Sequence, residues 1–237
     1  MDTFEDIAQR VRALLEELPP HVLLVAAVKT RSAEDARAAA AAGVTALGHN
    51  YVQEAETMRD ALARPADEQT RDLQWRLIGH LQRNKAKRAV QLFDVIETVD
   101  SLRLARALDR HCAEAGKVMP VLIEVNSAGE ANKSGVAPEE GEDLARATAE
   151  LPHLRLRGLM TMGPASGDPE EARPCFRRTK ELFDRLADLG LPDVEMRELS
   201  MGMSDSYRAA IEEGANVVRI GSRLFGPRGS AVAHDRH

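Results

Sequence analysis

Aromatic residues are scarce in this 237-residue chain: one tryptophan, two tyrosines and five phenylalanines, 3% in all. That leaves little material for stacking the bases of single-stranded nucleic acid. Positive charge is not in excess: 32 Lys and Arg against 38 Asp and Glu give a net charge of -6, which argues against broad nucleic-acid binding. The one local exception is RNKAKR, residues 83 to 88, which reads as a solvated helix face. Cysteine is nearly absent. Cys112 and Cys175 lie far apart and in no metal-ligand spacing, so they read as reduced structural thiols. No apolar run approaches the ~20 residues that span a bilayer. The opening stretch, MDTFEDIAQRVRALLEEL, lacks the basic start and apolar core of a secretory signal. These absences lead to the expectation of a cytoplasmic protein with no membrane or nucleic-acid partner.

What the chain does have is a regular beat. After an amphipathic helix over about residues 3 to 18, VLLVAAVK reads as a strand, and Ser32 with Asp35 marks a capping box opening SAEDARAAAAAG. Strand-like VTALGH, LQWRLIGH, FDVIETV, VMPVLIEVN, LRLRGLM, VEMRELS and NVVRIG follow, each with a helix-like segment after it. Asp168-Pro169 starts the longest of these helices, with Asp as N-cap and Pro at the first helical position. Eight such βα units imply parallel pairing, and in one domain they close most simply into a (β/α)8 TIM barrel. A doubly wound open sheet would usually carry a glycine-rich turn after its first strand, and KTRSAED is not one. One barrel domain over residues 1–237 is expected, with a polar tail from about 228 to 237. The tail histidines His234 and His237 read as a polar terminus, and no metal site is expected.

In such a barrel the active face is built from strand ends and the loops after them. Lys29, Gly48-His49-Asn50, His80, Asn126, Met160, Ser200 to Ser204 and Arg219 with Gly221 and Ser222 all fall there. SMGMSDS (200–206) and RIGSRLFG (219–226) combine glycine, serine and a helix start, which suits a phosphate cradle. Ser204 and Ser222 can equally be read as helix caps. Lys29 ends an apolar run, Val22 to Val28, with no carboxylate beside it in sequence. Burial disfavours a charged amine and frees it as a nucleophile. Facing a phosphate cradle, it suggests a Schiff base with a phosphorylated carbonyl compound, pyridoxal phosphate foremost and a sugar phosphate second. A lysine that pairs elsewhere or snorkels out of the barrel fits the spacing as well.

Together LLVAAVKT, GHNYVQE, WRLIGHLQRNK, VLIEVN with NKSG, LRGLMTM and LSMGMSDSYRAAIEEGANVVRIGSRLFG resemble the pyridoxal phosphate homeostasis proteins, relatives of the alanine racemase N-terminal barrel. The resemblance runs nearly the whole chain in order. It implies a fold-type III barrel and pyridoxal 5'-phosphate as cofactor, held as a Schiff base on Lys29. It places Asn50 and Met160 beside the cofactor, and Ser200, Gly221 and Ser222, helped by Ser204, at the phosphate. It puts Arg219 against the pyridine nitrogen, where a fixed positive charge disfavours protonation and weakens the ring as an electron sink; an interior salt bridge is the other reading of Arg219. Two positions depart from the family. His49 stands where Glu is common and reads as a structural or lid residue. Val28 stands where Ser is common, which removes a hydroxyl next to Lys29 and makes that wall more apolar.

Racemisation needs an acid and a base on opposite faces of the substrate carbon. In full alanine racemases a tyrosine from an added C-terminal domain serves the second face, and the barrel pattern here leaves no room for that domain. Tyr51 and Tyr207, the only tyrosines, fall in early helix positions with no sequence reason to oppose Lys29. His80 is the nearest substitute. The expectation is therefore a carrier with no catalytic residues, which buffers pyridoxal phosphate and passes it transiently to apoenzymes. A monomer is the default. A small racemase is the alternative. Lys133 reads as a solvated loop residue.

Overall fold

The structure, a computed structural model, describes residues 3–63, 68–130, 132–164 and 167–226. Local signals set its elements. Thr3 and Asp6 cap each other's backbone at the start of α1 (Phe4–Glu17). Ser32 and Asp35 do the same for α2 (Ala33–Ala41). Asp168 caps α8 (Pro169–Asp188). The eight strands are β1 (Leu23–Ala27), β2 (Ala46–His49), β3 (Gln74–Leu77), β4 (Val95–Val99), β5 (Met119–Val125), β6 (Leu154–Thr161), β7 (Val194–Ser200) and β8 (Val217–Ile220). They close into a parallel barrel in sequence order. β8 completes it by pairing with β1, Val25 opposite Arg219.

Between the strands lie α3 (Val52–Leu62), α4 (Glu68–Arg71), α5 (Ala86–Leu92), α6 (Leu102–Ala115), α7 (Gly141–Ala149), α9 (Tyr207–Glu212) and the short α10 (Ser222–Phe225). The four-residue α4 was not anticipated, because it is too short to show a helical period. The basic run at 83–88 begins as a 3-10 turn, Arg83–Lys85, before α5 takes over. The tail and its two histidines lie outside the described residues.

Strand alternation sorts side chains between two layers. In β1, Leu24 and Ala26, with Val28 just beyond, join the apolar layer under the helices. Val25 packs inward with Ala46, Ile78 and Val217, with Ala27 against them. The odd-numbered series 25, 27, 29 therefore aims Lys29 into the mouth of the barrel. Val28 faces the helix layer, so it does not form a wall beside that amine, contrary to the expectation. No helix among the described residues is long and apolar enough to cross a membrane. Cys112 and Cys175 are unpaired and buried, and burial raises the Cys112 thiol to about 11.

Candidate functional site

A cleft of about 360 Å³ opens at the C-terminal ends of the strands, lined by Lys29, Asn50, Ser204, Arg219, Gly221 and Ser222 among others. Six of the eight predicted site residues thus converge from four strand ends. Ala27, Arg31, Ile78, Met162, Met203 and Asp205 complete the wall. Met203 and Asp205 belong to the 200–206 loop expected at the mouth; Ala27, Arg31, Ile78 and Met162 were not anticipated, and nearness to the motifs, as of Arg31 to Lys29, was the available signal.

Lys29 sits two residues past β1, in a turn, and is half-buried. No ion pair to it occurs among the described residues; its ammonium lies 5.2 Å from the ring centroid of Tyr51. The turn is strained. Thr30 has φ 61°, a region costly for a β-branched residue. It is held by Thr30 Oγ1 donating to Lys29 O at 2.6 Å. It is held again by Arg31, whose guanidinium donates to Phe225 O and Gly226 O at 2.9 and 2.7 Å. The loop bearing the amine is therefore tied to the end of α10, across the cleft rim.

The opposite wall joins two loops. Arg223 N donates to Ser204 Oγ at 3.4 Å, linking the β7–α9 loop to α10. Gly202, at φ 90°, permits the turn; a Cβ there would meet Ala210 Cβ at 2.7 Å and Tyr207 Cα at 2.8 Å. Gly79 lets the β3 loop approach Asn50, since a Cβ would come within 2.4 Å of Asn50 O. The capping and cradle readings of Ser204 are thus compatible: one hydroxyl serves α10 and lines the cleft.

Ser200 and Met160 lie deeper. Both are fully buried and neither is among the cleft-lining residues. Ser200 Oγ donates to Glu97 Oε2 at 2.6 Å and accepts from Arg219 Nη1 at 2.6 Å. Its hydroxyl is committed to a buried charge network instead of facing the cleft. Arg219 also donates through Nη2 to Thr161 O at 2.8 Å. Burial pushes its guanidinium below the usual value, with Glu97 and Glu124 opposing that shift.

Beneath it, Arg76 is 1% exposed and meets Glu97 at 2.5 Å and Glu198 on its other side. Burial opposes its charge, but the two carboxylates outweigh it and hold the guanidinium above its usual value. Glu124 projects from β5, and burial, with Asp100 nearby, raises its carboxyl to about 7 against the pull of Arg219. Its Oε2 has no hydrogen-bond partner among the described residues. Apart from Arg219, this polar interior was missed, although QWRL, VIETV, VLIEV and VEMRELS each carry a charge inside a strand.

The remaining candidates sit apart. His49 is 2% exposed on the helix side of β2, stacked on Trp75 at 4.8 Å, and burial lowers it to about 4. Its structural reading holds. Tyr207 is buried and donates to Glu17 of α1, away from Lys29. His80 pairs with Asp100 at 3.2 Å and lines a neighbouring recess with Asn50 and Tyr51. Lys133 is not a freely solvated loop residue: it bonds to Glu130 Oε1 at 2.7 Å and Gly163 O at 2.9 Å. Asn126, at the end of β5, turns its amide to Glu130 O. Another cavity, of about 420 Å³, lies between α2 and α3, outside the barrel mouth.

Residues 3–229 match the alanine racemase, N-terminal domain family. The chain is 40% identical over 225 residues to the pyridoxal phosphate homeostasis protein of Pseudomonas aeruginosa, covering 94% of this chain and 93% of that one. It is 39% identical over 207 residues to its namesake in Pasteurella multocida, 87% of each. The solved structure of PipY from Synechococcus elongatus with PLP bound superposes with a TM-score of 0.83 at 35% identity, over 93% of this chain and 100% of that one. Alanine racemase from Clostridium difficile shares the fold, with a TM-score of 0.75 at 18% identity; the match spans 96% of this chain and 57% of the racemase.

Proposed function

Because this chain belongs to the alanine racemase N-terminal domain family, and within it to the pyridoxal phosphate homeostasis proteins, we propose that it binds pyridoxal 5'-phosphate reversibly. It carries and buffers the cofactor, maintains its intracellular supply and has no strong catalytic activity of its own. The observation that carries this reading is the placement of Lys29: an amine with no carboxylate partner among the described residues, aimed into a cleft that also holds Ser204, Gly221 and Ser222. Pyridoxal phosphate supplies an aldehyde that condenses with amines and a ring that can accept electrons.

On this reading Lys29 holds the aldehyde carbon. Ser204, Gly221 and Ser222 hold the phosphate through hydroxyl and backbone groups. Asn50 orients the ring from the β2 side. Arg219, kept in place by Ser200 and Thr161, presents a fixed cation to the ring nitrogen and keeps that atom unprotonated. That restraint suits storage over turnover. Ser200 and Met160 support the floor from below. Release is the transfer of the aldehyde from Lys29 to another amine, for which a half-buried lysine at an open mouth is accessible.

The test is borohydride trapping of the PLP-loaded protein followed by peptide mapping. The label is expected on Lys29, and Lys29→Ala is expected to abolish it while the fold persists. Labelling at Lys133 instead would overturn the assignment. A small amino-acid racemase is the second reading, and Tyr51 is the observation in its favour, with its ring against the Lys29 ammonium. Cα–H exchange of D- or L-alanine in deuterium oxide separates the two. Exchange faster than with free PLP, and lost in Tyr51→Phe, would replace the carrier reading with the racemase.

A further inference from the structure

The basic run at 83–88 divides in the folded protein. Arg88 pairs with Glu56 at 2.7 Å and Lys85 donates to Gln53 at 3.2 Å. Arg83 turns the other way, into a groove of about 640 Å³ shared with Arg103, Arg106, Arg110 and His111 of α6. No carboxylate is among the residues lining it, although the chain as a whole carries a net charge of -6.

Several other surface arginines meet carboxylates, as Arg146 meets Glu142 and Arg177 meets Glu213. Arg83, Arg103 and Arg106 are exposed and make no ion pair among the described residues. At one end Glu114 meets His111 at 2.9 Å and Arg110 at 4.0 Å; the other end is uncompensated.

Positions 103, 106 and 110 fall on one helical face, so the row is roughly 10 Å long. A guanidinium row of that length matches several carboxylates in succession better than one small anion, because each planar fork can take a carboxylate bidentately. Leu102 and Ala107 add an apolar strip for aliphatic stems. No Phe, Tyr or Trp lines the groove, and His111 is its one ring, so it is a poor base-stacking platform. The groove lies one recess away from the cleft. The Arg83–Lys85 turn borders it on one side and, through Lys85, a recess shared with Asn50 on the other.

We propose that this groove docks an acidic segment of a partner protein, beside the mouth of the barrel. That the partner receives the cofactor rests on the carrier reading above; the acidic docking site itself does not.

The test uses the full chain loaded with PLP and a short fluorescein-labelled Glu-Ala peptide, followed by fluorescence anisotropy at low and at physiological salt. The Glu-Ala peptide is expected to bind, more weakly as salt rises, and a Lys-Ala peptide is not. The double variant R103E/R106E is expected to lose roughly tenfold or more in affinity, and R103K/R106K less. Reversal at Arg197, on β7, is expected to leave binding unchanged. Any of three results would overturn the proposal: no peptide binding, equal loss in Arg197→Glu, or tighter binding of inorganic tripolyphosphate or a DNA oligonucleotide than of the peptide. The visible absorbance of bound PLP is read on the same samples. Its absence with peptide binding intact counts against the carrier reading alone. Its presence without peptide binding counts against the docking site alone.

Discussion

Arg76 and Lys29 project into the same barrel, one at its floor and one at its mouth, in opposite surroundings. Arg76 is 1% exposed and held between Glu97 and Glu198, and the network continues through Ser200 to Arg219. The Arg76 charge is matched within the chain, so that guanidinium has no capacity left for a ligand. Lys29 is half-buried, rests on an aromatic ring and makes no ion pair among the described residues. A cation compensated by its own protein does structural work; one left open is available to something from outside.

The contrast is broken most severely from the floor. Arg76→Ala leaves two carboxylates buried without their cation and is expected to lower stability by about 3–5 kcal/mol, read from urea unfolding midpoints. A loss under about 1 kcal/mol would mean that water reaches the floor and that the two regions do not differ as described.

The next largest effect is a pair of opposed pH slopes. His49 remains neutral in the fold down to about 4 but takes up its proton near 6.5 when unfolded. Its contribution is therefore present above pH 6.5 and lost as pH falls toward 4, by about 3 kcal/mol. Glu124 runs the other way. Its carboxyl stays protonated in the fold up to about 7 but ionises near 4.5 when unfolded, so it removes a similar amount, about 3 kcal/mol, as pH rises from 4.5 to 7. Between pH 4.5 and 6.5 the two nearly cancel in the wild type. Glu124→Gln is expected to expose stability that rises with pH, and His49→Phe stability that falls with it, in unfolding curves taken across that window. Parallel profiles for all three proteins would refute both assignments.

Ser200→Ala and Ser204→Ala sharpen the boundary between floor and mouth. Removing the Ser200 hydroxyl takes a bond from both Glu97 and Arg219 and is expected to cost about 1–3 kcal/mol of stability, with PLP still bound. Ser204→Ala is expected to weaken PLP binding in absorbance titrations with a smaller stability change. An exchange of these outcomes would move the phosphate site down into the network. The smallest stability effect belongs to Lys29→Met, within about 0.5 kcal/mol of wild type by thermal unfolding, because no buried partner is left behind.

Much of this was legible beforehand, and unevenly. Lys29 was readable as a strand-end amine because an apolar run stops at it, and Ser204, Gly221 and Ser222 because glycine and serine cluster before helix starts. Ser200 was assigned to the phosphate by its position in the same motif. Only the pleat shows that it points down to Glu97. Val28 was placed next to Lys29 by adjacency in sequence, whereas the two face opposite layers. Tyr51 and Arg31, which touch or brace the lysine turn, gave no signal beyond nearness.

The sequence by itself determined the alternation of eight strands and their helices, the caps at Thr3, Ser32 and Asp168, and the loops that carry the chemistry. All of these depend on residues within a few positions of one another, where period, propensity and capping act. Closure of the barrel decided the rest. It brought Arg76 to Glu198 across 122 residues and Ser200 to Glu97 across 103. Partnerships at such separations have no local pattern, so only the tertiary structure decides which charges are matched within the chain and which remain open at the mouth.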